Sequence, residues 1–207
     1  MKYFISLLLG YALGCINPAY FFAKAKGFDI RTRGTMSAGA SNAKTTMGWK
    51  YGIFCALYDA LKSVLAMFII RLLFPGSEDA AVLAGCSAVI GHIFPFYLNF
   101  KGGKGFAAYI GMVFAINWKL GLILLAIGAI LSLLTNWVVM ATLTFILSFP
   151  IYNLINNEPT IVTISSAVVS LVILYKHIVN FRKLFNKEEI GINGKPVGFK
   201  LRKACNK

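Results

Sequence analysis

The middle of the chain reads Gly91-His92-Ile93-Phe94-Pro95-Phe96-Tyr97-Leu98-Asn99-Phe100-Lys101-Gly102-Gly103-Lys104-Gly105. This stretch interrupts an apolar segment with two lysines and three glycines, after which the sequence becomes apolar again. Glycines let an anion approach bare backbone N–H groups, and lysines add full positive charge. The stretch therefore predicts either a phosphate site or a basic loop that only fixes membrane topology, and composition alone leaves both interpretations open.

The overall composition is typical of a membrane protein. Hydrophobic residues make up 58% of the 207 residues and charged residues only 14%, with a mean hydropathy of +0.72. Apolar stretches occupy nearly the whole chain, so we expect a single transmembrane domain covering residues 1–207. The formal charge of +14 comes from basic residues in short loops between apolar spans. It therefore indicates membrane topology and not a nucleic-acid partner.

The sequence shows no pattern typical of a metal or cofactor site. The two histidines and seven acidic residues form no cluster at zinc spacing, and Gly103-Lys104 lacks the flanking residues of a Walker loop. The four cysteines are widely separated and have neither metal spacing nor a disulfide framework. They are Cys15, Cys55, Cys86 and Cys205. We therefore expect no metal and no cofactor.

Seven apolar spans are predicted, and one of them is short. They are Met1 to Phe22, Tyr51 to Phe74, Ala80 to Leu98, Phe106 to Asn117, Lys119 to Thr135, Trp137 to Ile155 and Thr160 to Tyr175. The first could alternatively be a signal sequence, although a second apolar run follows Asn17-Pro18. The fourth is too short to cross a bilayer upright. The sequence predicts an all-α integral membrane protein with a seven-transmembrane-helix bundle.

The distribution of basic residues predicts the orientation of this bundle. The loop 23–50, the turn 99–104 and the tail 176–207 hold six, two and nine of the 21 lysines and arginines, and all three connections fall on one side. Cytoplasmic connections of membrane proteins carry an excess of Lys and Arg. We therefore expect the amino terminus outside and the carboxyl terminus in the cytoplasm.

Two further polar stretches are expected on the cytoplasmic side. The first loop contains Gly34-Thr35-Met36-Ser37-Ala38-Gly39-Ala40-Ser41-Asn42-Ala43-Lys44, in which small residues and hydroxyls supply hydrogen-bond donors. The last span is followed by Lys176 to Phe185, and a helix there would bring His177 and Asn180 to one face. Either stretch alone could be an ordinary interfacial segment.

Asp59 and Lys62 lie three residues apart within the second span, a spacing that allows an ion pair on one helix face. The pair could hold helices together inside the bundle. Alternatively, Lys62 could reach toward a cytoplasmic site while Asp59 orients it. The spacing alone allows both roles.

Together these stretches resemble one family. The Gly91 to Gly105 stretch, the loop from Asp29 to Asn42, and His177 with Asn180 are similar to the acyl-phosphate-dependent glycerol-3-phosphate acyltransferases, the PlsY family. The resemblance implies transfer of a fatty acyl group from acyl phosphate to the sn-1 hydroxyl of glycerol 3-phosphate, which yields lysophosphatidic acid and phosphate. It also implies a bacterial inner-membrane location with the site facing the cytoplasm, and a candidate partner enzyme that produces acyl phosphate.

The resemblance also implies roles for individual residues. Acyl phosphate would be held by Thr35, Gly39, Ala40, Asn42, Lys101, Gly102, Gly103, Lys104 and Gly105. Glycerol 3-phosphate would be positioned by Lys44, Lys62, His177 and Asn180. The catalytic set would be Thr35, Lys104, His177 and Asn180, and a phosphate oxygen of a substrate could accept the hydroxyl proton.

Two departures from the family pattern indicate a divergent branch. Gly34-Thr35-Met36-Ser37 stands where the family usually reads Gly-Ser-Gly-Asn, and Thr45 stands where many relatives carry an arginine. Two other functions remain as alternatives to the acyltransferase. The chain could be an organophosphate transporter, or a catalytically degenerate relative that binds lipid phosphate without turnover.

Overall fold

The computed structural model describes residues 1–193 and 196–197. Within these residues there are nine α-helices: α1 (Lys2–Cys15), α2 (Pro18–Ala25), α3 (Ala40–Met47), α4 (Trp49–Leu73), α5 (Glu78–Ile93), α6 (Phe106–Ile116), α7 (Trp118–Thr135), α8 (Val139–Ile155) and α9 (Thr160–Phe185). Two short strands, β1 (Glu189–Ile190) and β2 (Pro196–Val197), pair antiparallel after α9. The described part is all-helical apart from this strand pair. Cys205 and the last basic residues of the tail lie outside it.

The helices agree with the apolar pattern but shift several predicted boundaries. Five helical segments are long and apolar enough to cross a membrane: Lys2–Ala25, Trp49–Leu73, Glu78–Leu98, Trp118–Thr135 and Thr160–Phe185. The helices α6 and α8 are apolar but shorter. The third segment ends at Leu98, where the predicted span ends, and consists of α5 as far as Ile93 followed by a short 3₁₀ turn at Phe96–Leu98. The last helix continues ten residues beyond the predicted end at Tyr175 and reaches Phe185.

The predicted first span is two helices, because the chain breaks at Asn17-Pro18. Proline has no N–H to continue a helix, and it forces the preceding residue into an extended conformation. The Asn17 side chain accepts a hydrogen bond from the Tyr20 N–H at 3.1 Å and so caps α2. Its amide also donates to the Ala38 carbonyl at 2.7 Å. The break therefore anchors the first loop.

The α1 and α5 helices pack closely at glycines. A Cβ atom built on Gly10 would lie 2.2 Å from the Ala84 carbonyl oxygen, and one on Gly14 would lie 2.1 Å from the Ala88 oxygen. Small residues let membrane helices approach closely and gain van der Waals contact. This contact fixes α5, and with it the turn that follows α5.

Replacing Gly14 by alanine is expected to destabilise the bundle by about 1–3 kcal/mol, because the added methyl group would overlap backbone atoms that cannot rotate away. The measurement is thermal unfolding of purified protein in detergent. Ala12→Leu, on the exposed face of the same helix, is the control and should leave the midpoint unchanged. Equal midpoints for Gly14→Ala and the parent would contradict this packing.

The core lies between the central helices and includes a buried polar contact. Tyr109 of α6 is fully buried, and its hydroxyl forms a 2.7 Å hydrogen bond with Ser170 of α9. The Phe149 ring of α8 packs edge-on against Tyr109, with ring centroids 6.0 Å apart. These contacts hold α9, which carries two of the predicted site residues, against α6.

Each end of the bundle has its own contact between segments that are distant in sequence. At one end, the Lys2 ammonium pairs with Asp79 at 3.3 Å, joining the start of α1 to the start of α5. At the other end, the Ala38 N–H donates to the Gly102 carbonyl at 3.3 Å, joining the first loop to the turn before α6. The polar stretches predicted for one membrane side therefore lie together.

Candidate active site

Two glycine-containing loops meet at the start of α3 and α6. Besides the bond between Ala38 and Gly102, a Cβ atom on Gly39 would lie only 3.7 Å from the Cα atom of Gly103. Gly39 directly precedes α3, and Gly105 directly precedes α6. The structure thus brings together two stretches that are expected on the same side of the membrane.

The turn needs glycine for steric reasons. A Cβ atom on Gly102 would lie 2.1 Å from the His92 carbonyl oxygen, and one on Gly103 would lie 2.0 Å from Nε2 of the same histidine. Gly105 has φ +90°, a left-handed conformation that side chains disfavour. The turn is therefore packed tightly against the end of α5.

The available donors of this turn differ from the predicted ones. The Gly102 N–H donates to the Ile93 carbonyl and the Gly103 N–H to the His92 carbonyl, both at 3.1 Å, so neither amide is available to phosphate. Within the described residues, the N–H groups of Lys104, Gly105 and Phe106 have no acceptor. The donors of the turn therefore begin at Lys104, at the amino terminus of α6.

The amino termini of α3 and α6 add a favourable field. The first intrahelical bonds run from Ala43 to Gly39 and from Tyr109 to Gly105, so the N–H groups before them remain free of intrahelical partners. A helix amino terminus carries partial positive charge and binds anions. Two such termini preceded by touching loops make this end of the bundle suitable for phosphate.

Lys104 connects the turn to α9. Its ammonium donates to the Asn180 side-chain oxygen, and the Asn180 amide donates to Glu189 of β1 at 2.7 Å. Burial lowers the pKa of the Lys104 ammonium below its usual value, Glu189 raises it, and Lys183 lowers it further. Lys104 and Asn180, both predicted as site residues, therefore lie together. Glu189 was not predicted as a site residue. It is one of only two acids in residues 176–207, and this scarcity is the feature of the sequence that could have indicated it.

His177 lies one helical turn before Asn180 on the same helix. It is 5% exposed, and its Nδ1 atom is 2.8 Å from the Ile173 carbonyl oxygen. A carbonyl can only accept, so Nδ1 carries the proton, and Nε2 keeps a lone pair in the neutral ring. Within the described residues Nε2 has no hydrogen-bond partner, so this nitrogen remains available to a ligand.

Asn42 shapes the first loop. It is 1% exposed, and its amide donates to three loop carbonyls at 2.8–3.0 Å, while its oxygen accepts the Thr35 N–H at 2.8 Å. The carbonyls belong to Ile30, Arg33 and Ser37. The hydrogen-bonding capacity of this side chain is used inside the loop. The predicted role of Asn42 as a direct phosphate ligand is therefore replaced by an indirect one.

Replacing Asn42 by aspartate is expected to lower stability by about 1–3 kcal/mol, because carbonyl oxygens would face a carboxylate instead of an amide. Thermal unfolding and the yield of monodisperse protein measure this effect. Asn156→Asp is the control, since Asn156 is exposed and its amide donates a 2.8 Å bond to the Tyr152 carbonyl. Equal losses in the two variants would contradict the role of Asn42 in the loop.

Arg31 connects the first loop to Leu98, just before the glycine turn. Its guanidinium binds the Asp29 carboxylate in a bidentate manner and donates to the Leu98 carbonyl at 2.7 Å. The hydrogen bond from Arg31 also holds the pKa of Asp29 below its usual range. This planar fork sets the spacing between the two loops.

Other predicted residues lie away from the Lys104 cluster. The Lys44 ammonium lies over the Trp49 ring, 3.6 Å from its centroid, and Lys101 is exposed. Thr35 is also exposed, at the edge of the first loop. Lys62 is 3% exposed and pairs with Asp59 at 2.9 Å inside the bundle. The predicted direct contact of Lys62 with glycerol 3-phosphate is therefore corrected, because its ammonium already has buried partners.

The fold is that of an integral membrane protein, and one end of its helix bundle brings two helix amino termini close to Lys104. The chain belongs to the glycerol-3-phosphate acyltransferase family, whose sequence profile matches residues 4–187. The family that the sequence motifs resemble is therefore confirmed.

Relatives match over most of their length. Glycerol-3-phosphate acyltransferase 1 of Oceanobacillus iheyensis is 34% identical over 198 residues, covering 91% of this chain and 94% of the relative. A glycerol-3-phosphate acyltransferase of Thermoanaerobacter sp. is 35% identical over 181 residues, covering 87% and 90%. The crystal structure of PlsY (YgiH) in its glycerol 3-phosphate form has a TM-score of 0.84 at 28% identity, covering 92% of this chain and 96% of that chain. The lysophosphatidic acid form has a TM-score of 0.81.

Proposed function

We propose that the chain transfers a fatty acyl group from acyl phosphate to the sn-1 hydroxyl of glycerol 3-phosphate, giving lysophosphatidic acid and phosphate. The chain is a membrane acyltransferase of phospholipid synthesis, as its family membership indicates. The solved relative PlsY has been described with glycerol 3-phosphate and with lysophosphatidic acid. The identity of the donor, the position of the acylated hydroxyl and the roles of the residues are our proposal.

The observation that carries the proposal is the meeting of two helix amino termini beside a half-buried lysine. The contact between Gly39 and Gly103 brings the starts of α3 and α6 together, and Lys104 lies in the same turn. Acyl phosphate is already activated, so no protein nucleophile is needed. Fixed N–H groups and an ammonium would stabilise the charge that grows on the departing phosphate. The amides of Ala40, Gly105 and Phe106 are the donors we assign to it.

The acceptor would lie against α9. His177 offers a free Nε2 and Asn180 an amide, and both lie beside Lys104 or one turn away. In the reaction, the hydroxyl oxygen forms a bond to the acyl carbon while the bond from that carbon to the phosphate oxygen breaks. The hydroxyl proton passes to a phosphate oxygen of a substrate. His177 and Asn180 would hold glycerol 3-phosphate in line for this step.

The remaining predicted residues would contribute to substrate binding less directly. The Thr35 hydroxyl, at the edge of the first loop, would contact acyl phosphate on its exposed side. Lys44 and Lys101, which are exposed, would attract anionic substrates to the cleft without being part of its centre. An enzyme that produces acyl phosphate would supply the donor.

We also propose seven spans, with α1 and α2 counted as one and the shorter helices α6 and α8 included. The amino terminus would lie outside and the site would face the cytoplasm of a bacterial cell membrane. Support comes from the basic residues that accumulate at the site's end of the bundle. Labelling of single cysteines introduced at Ser77 and at Lys101 by an impermeant thiol reagent tests this topology. Intact cells should label the first only, and the reverse pattern would overturn the orientation.

The comparisons do not favour an organophosphate transporter, because the relatives above are named as acyltransferases. A relative without turnover would bind lipid phosphate but make no product. The transfer assay separates these functions.

Purified protein in lipid nanodiscs is incubated with labelled glycerol 3-phosphate and either palmitoyl phosphate or palmitoyl-CoA. We expect labelled lysophosphatidic acid, acylated at sn-1, from the acyl phosphate alone. Product from the thioester alone would overturn the proposed donor. No product from either donor, under conditions in which a characterised PlsY is active, would overturn the enzymatic function.

A further inference from the structure

A buried charged cluster lies directly behind the glycine turn. Asp59 and Lys62 come from α4 and His92 from the last turn of α5, and each is at most 3% exposed. The Lys62 ammonium lies 2.9 Å from the Asp59 carboxylate, 2.8 Å from His92 Nδ1 and 3.0 Å from the Ile16 carbonyl. The Ile16 carbonyl lies at the break between α1 and α2, so the cluster joins three segments of the bundle.

Both charged side chains hold the histidine ring. Nδ1 of His92 lies 2.8 Å from the Lys62 ammonium and 3.1 Å from the Asp59 carboxylate oxygen. An ammonium can only donate and a carboxylate can only accept, so Nδ1 has a hydrogen-bond partner whether or not it carries the ring proton. The ring is therefore held in one orientation by Lys62 and Asp59, whose charges balance each other.

The fixed ring supports the turn. Gly103 lies against the imidazole so closely that a Cβ atom would be 2.0 Å from Nε2, 2.7 Å from Cε1 and 3.0 Å from Cδ2. The His92 carbonyl also accepts the Gly103 N–H at 3.1 Å. Gly103 also lies close to the first loop, since a Cβ atom on Gly39 would be 3.7 Å from the Gly103 Cα atom. The imidazole is therefore in contact with the glycine at which the turn approaches that loop.

We propose that His92, held by Lys62 and Asp59, is a positioning residue that sets the place of Gly103 and so the width of the phosphate cleft. This role rests on the proposed function of the turn. It uses side chains that are buried behind the turn, and it assigns the charged residues of α4 a role in the reaction besides holding helices together. A shifted turn would weaken substrate binding in protein that is still folded.

The test uses two alanine substitutions, Gly103→Ala and Gly102→Ala. Each is made in the parent protein and in the His92→Ser variant, which has a smaller side chain at position 92. Gly103→Ala places its methyl group on the imidazole, whereas Gly102→Ala places its methyl group 2.1 Å from the His92 backbone oxygen. His92→Ser removes the ring but keeps that oxygen. We expect Gly103→Ala to lower kcat/KM about tenfold in the parent and less than about threefold in His92→Ser, while Gly102→Ala is equally harmful in both.

The outcomes are distinct. If Gly103→Ala does not fold, recovery of monodisperse protein on adding His92→Ser counts as the same rescue, and its failure as the same contradiction. Equal losses from Gly103→Ala with and without His92→Ser would overturn the positioning role. A parent that makes no lysophosphatidic acid would instead overturn the proposed function.

A second measurement concerns the charges. The neutral pair Asp59→Asn with Lys62→Met leaves no unpaired buried charge. We expect it to raise KM for the phosphate substrates about fivefold or more in the folded fraction, with kcat changed less. Ser63→Ala is the matched control on α4, because the buried Ser63 hydroxyl has no partner among the described residues. A lowered thermal midpoint with unchanged KM would reduce the cluster to a structural role.

Discussion

Replacing Lys104 by methionine is expected to lower kcat/KM for acyl transfer about a hundredfold, because methionine nearly keeps the side-chain volume but removes the charge beside the departing phosphate. The ammonium lies in the same turn as the free amides of α6 and also holds the Asn180 oxygen. The measurement is the initial rate of lysophosphatidic acid formation at varied acyl phosphate. Lys119→Met is the control, since Lys119 lies at the start of α7, at the opposite end of the bundle.

The pH dependence sharpens this prediction. Burial lowers the pKa of Lys104, so the free enzyme should lose the ammonium, and with it kcat/KM, as pH rises through this lowered value. Lys104→Arg should retain activity to higher pH, because a guanidinium stays protonated. Near-parental activity of Lys104→Met, or an alkaline limb unchanged in Lys104→Arg, would show that Lys104 does not hold the phosphate.

Replacing His177 by phenylalanine is expected to raise KM for glycerol 3-phosphate about tenfold or more and to leave KM for acyl phosphate nearly unchanged. Phenylalanine fills the buried volume but removes the free Nε2 and the bond from Nδ1 to Ile173. Steady-state kinetics with each substrate varied in turn measure the split. Tyr175→Phe is the control, because Tyr175 is exposed on the same helix.

The opposite split would change the assignment. If His177→Phe raised KM for acyl phosphate and not for glycerol 3-phosphate, α9 would bind the donor, and the two substrates would exchange places in the cleft. A loss of kcat with both KM values unchanged would instead indicate that His177 acts only in the transition state.

The positions of the apolar helices along the chain could be predicted largely from the sequence, because hydropathy depends on local composition. The meeting of the first loop with the turn before α6 also followed from placing both on one side. The break at Asn17-Pro18 was harder to predict, since an apolar run continues across it. The break leaves the Ile16 carbonyl without a helical partner. That the Lys62 ammonium, 46 residues further along the chain, donates to this carbonyl depends on tertiary packing.

The detailed site was predicted less well, for a related reason. Glycines were interpreted as exposing donors, but Gly102 and Gly103 are required because α5 lies against them, and their amides are used by its last carbonyls. Asn42 was interpreted as a ligand, yet its amide closes a loop whose carbonyls would otherwise lack donors. Composition indicates which groups could bind phosphate. Only the packing determines which of them remain free.

The most direct test of the phosphate cleft is the equilibrium affinity for a non-hydrolysable acyl phosphonate in lipid nanodiscs. The parent should bind it, inorganic phosphate should compete, and Lys104→Met should bind at least about tenfold more weakly, while Lys119→Met binds as the parent does. Equal affinity in the parent and in Lys104→Met, or no binding by the folded parent, would contradict a phosphate cleft formed by these two loops.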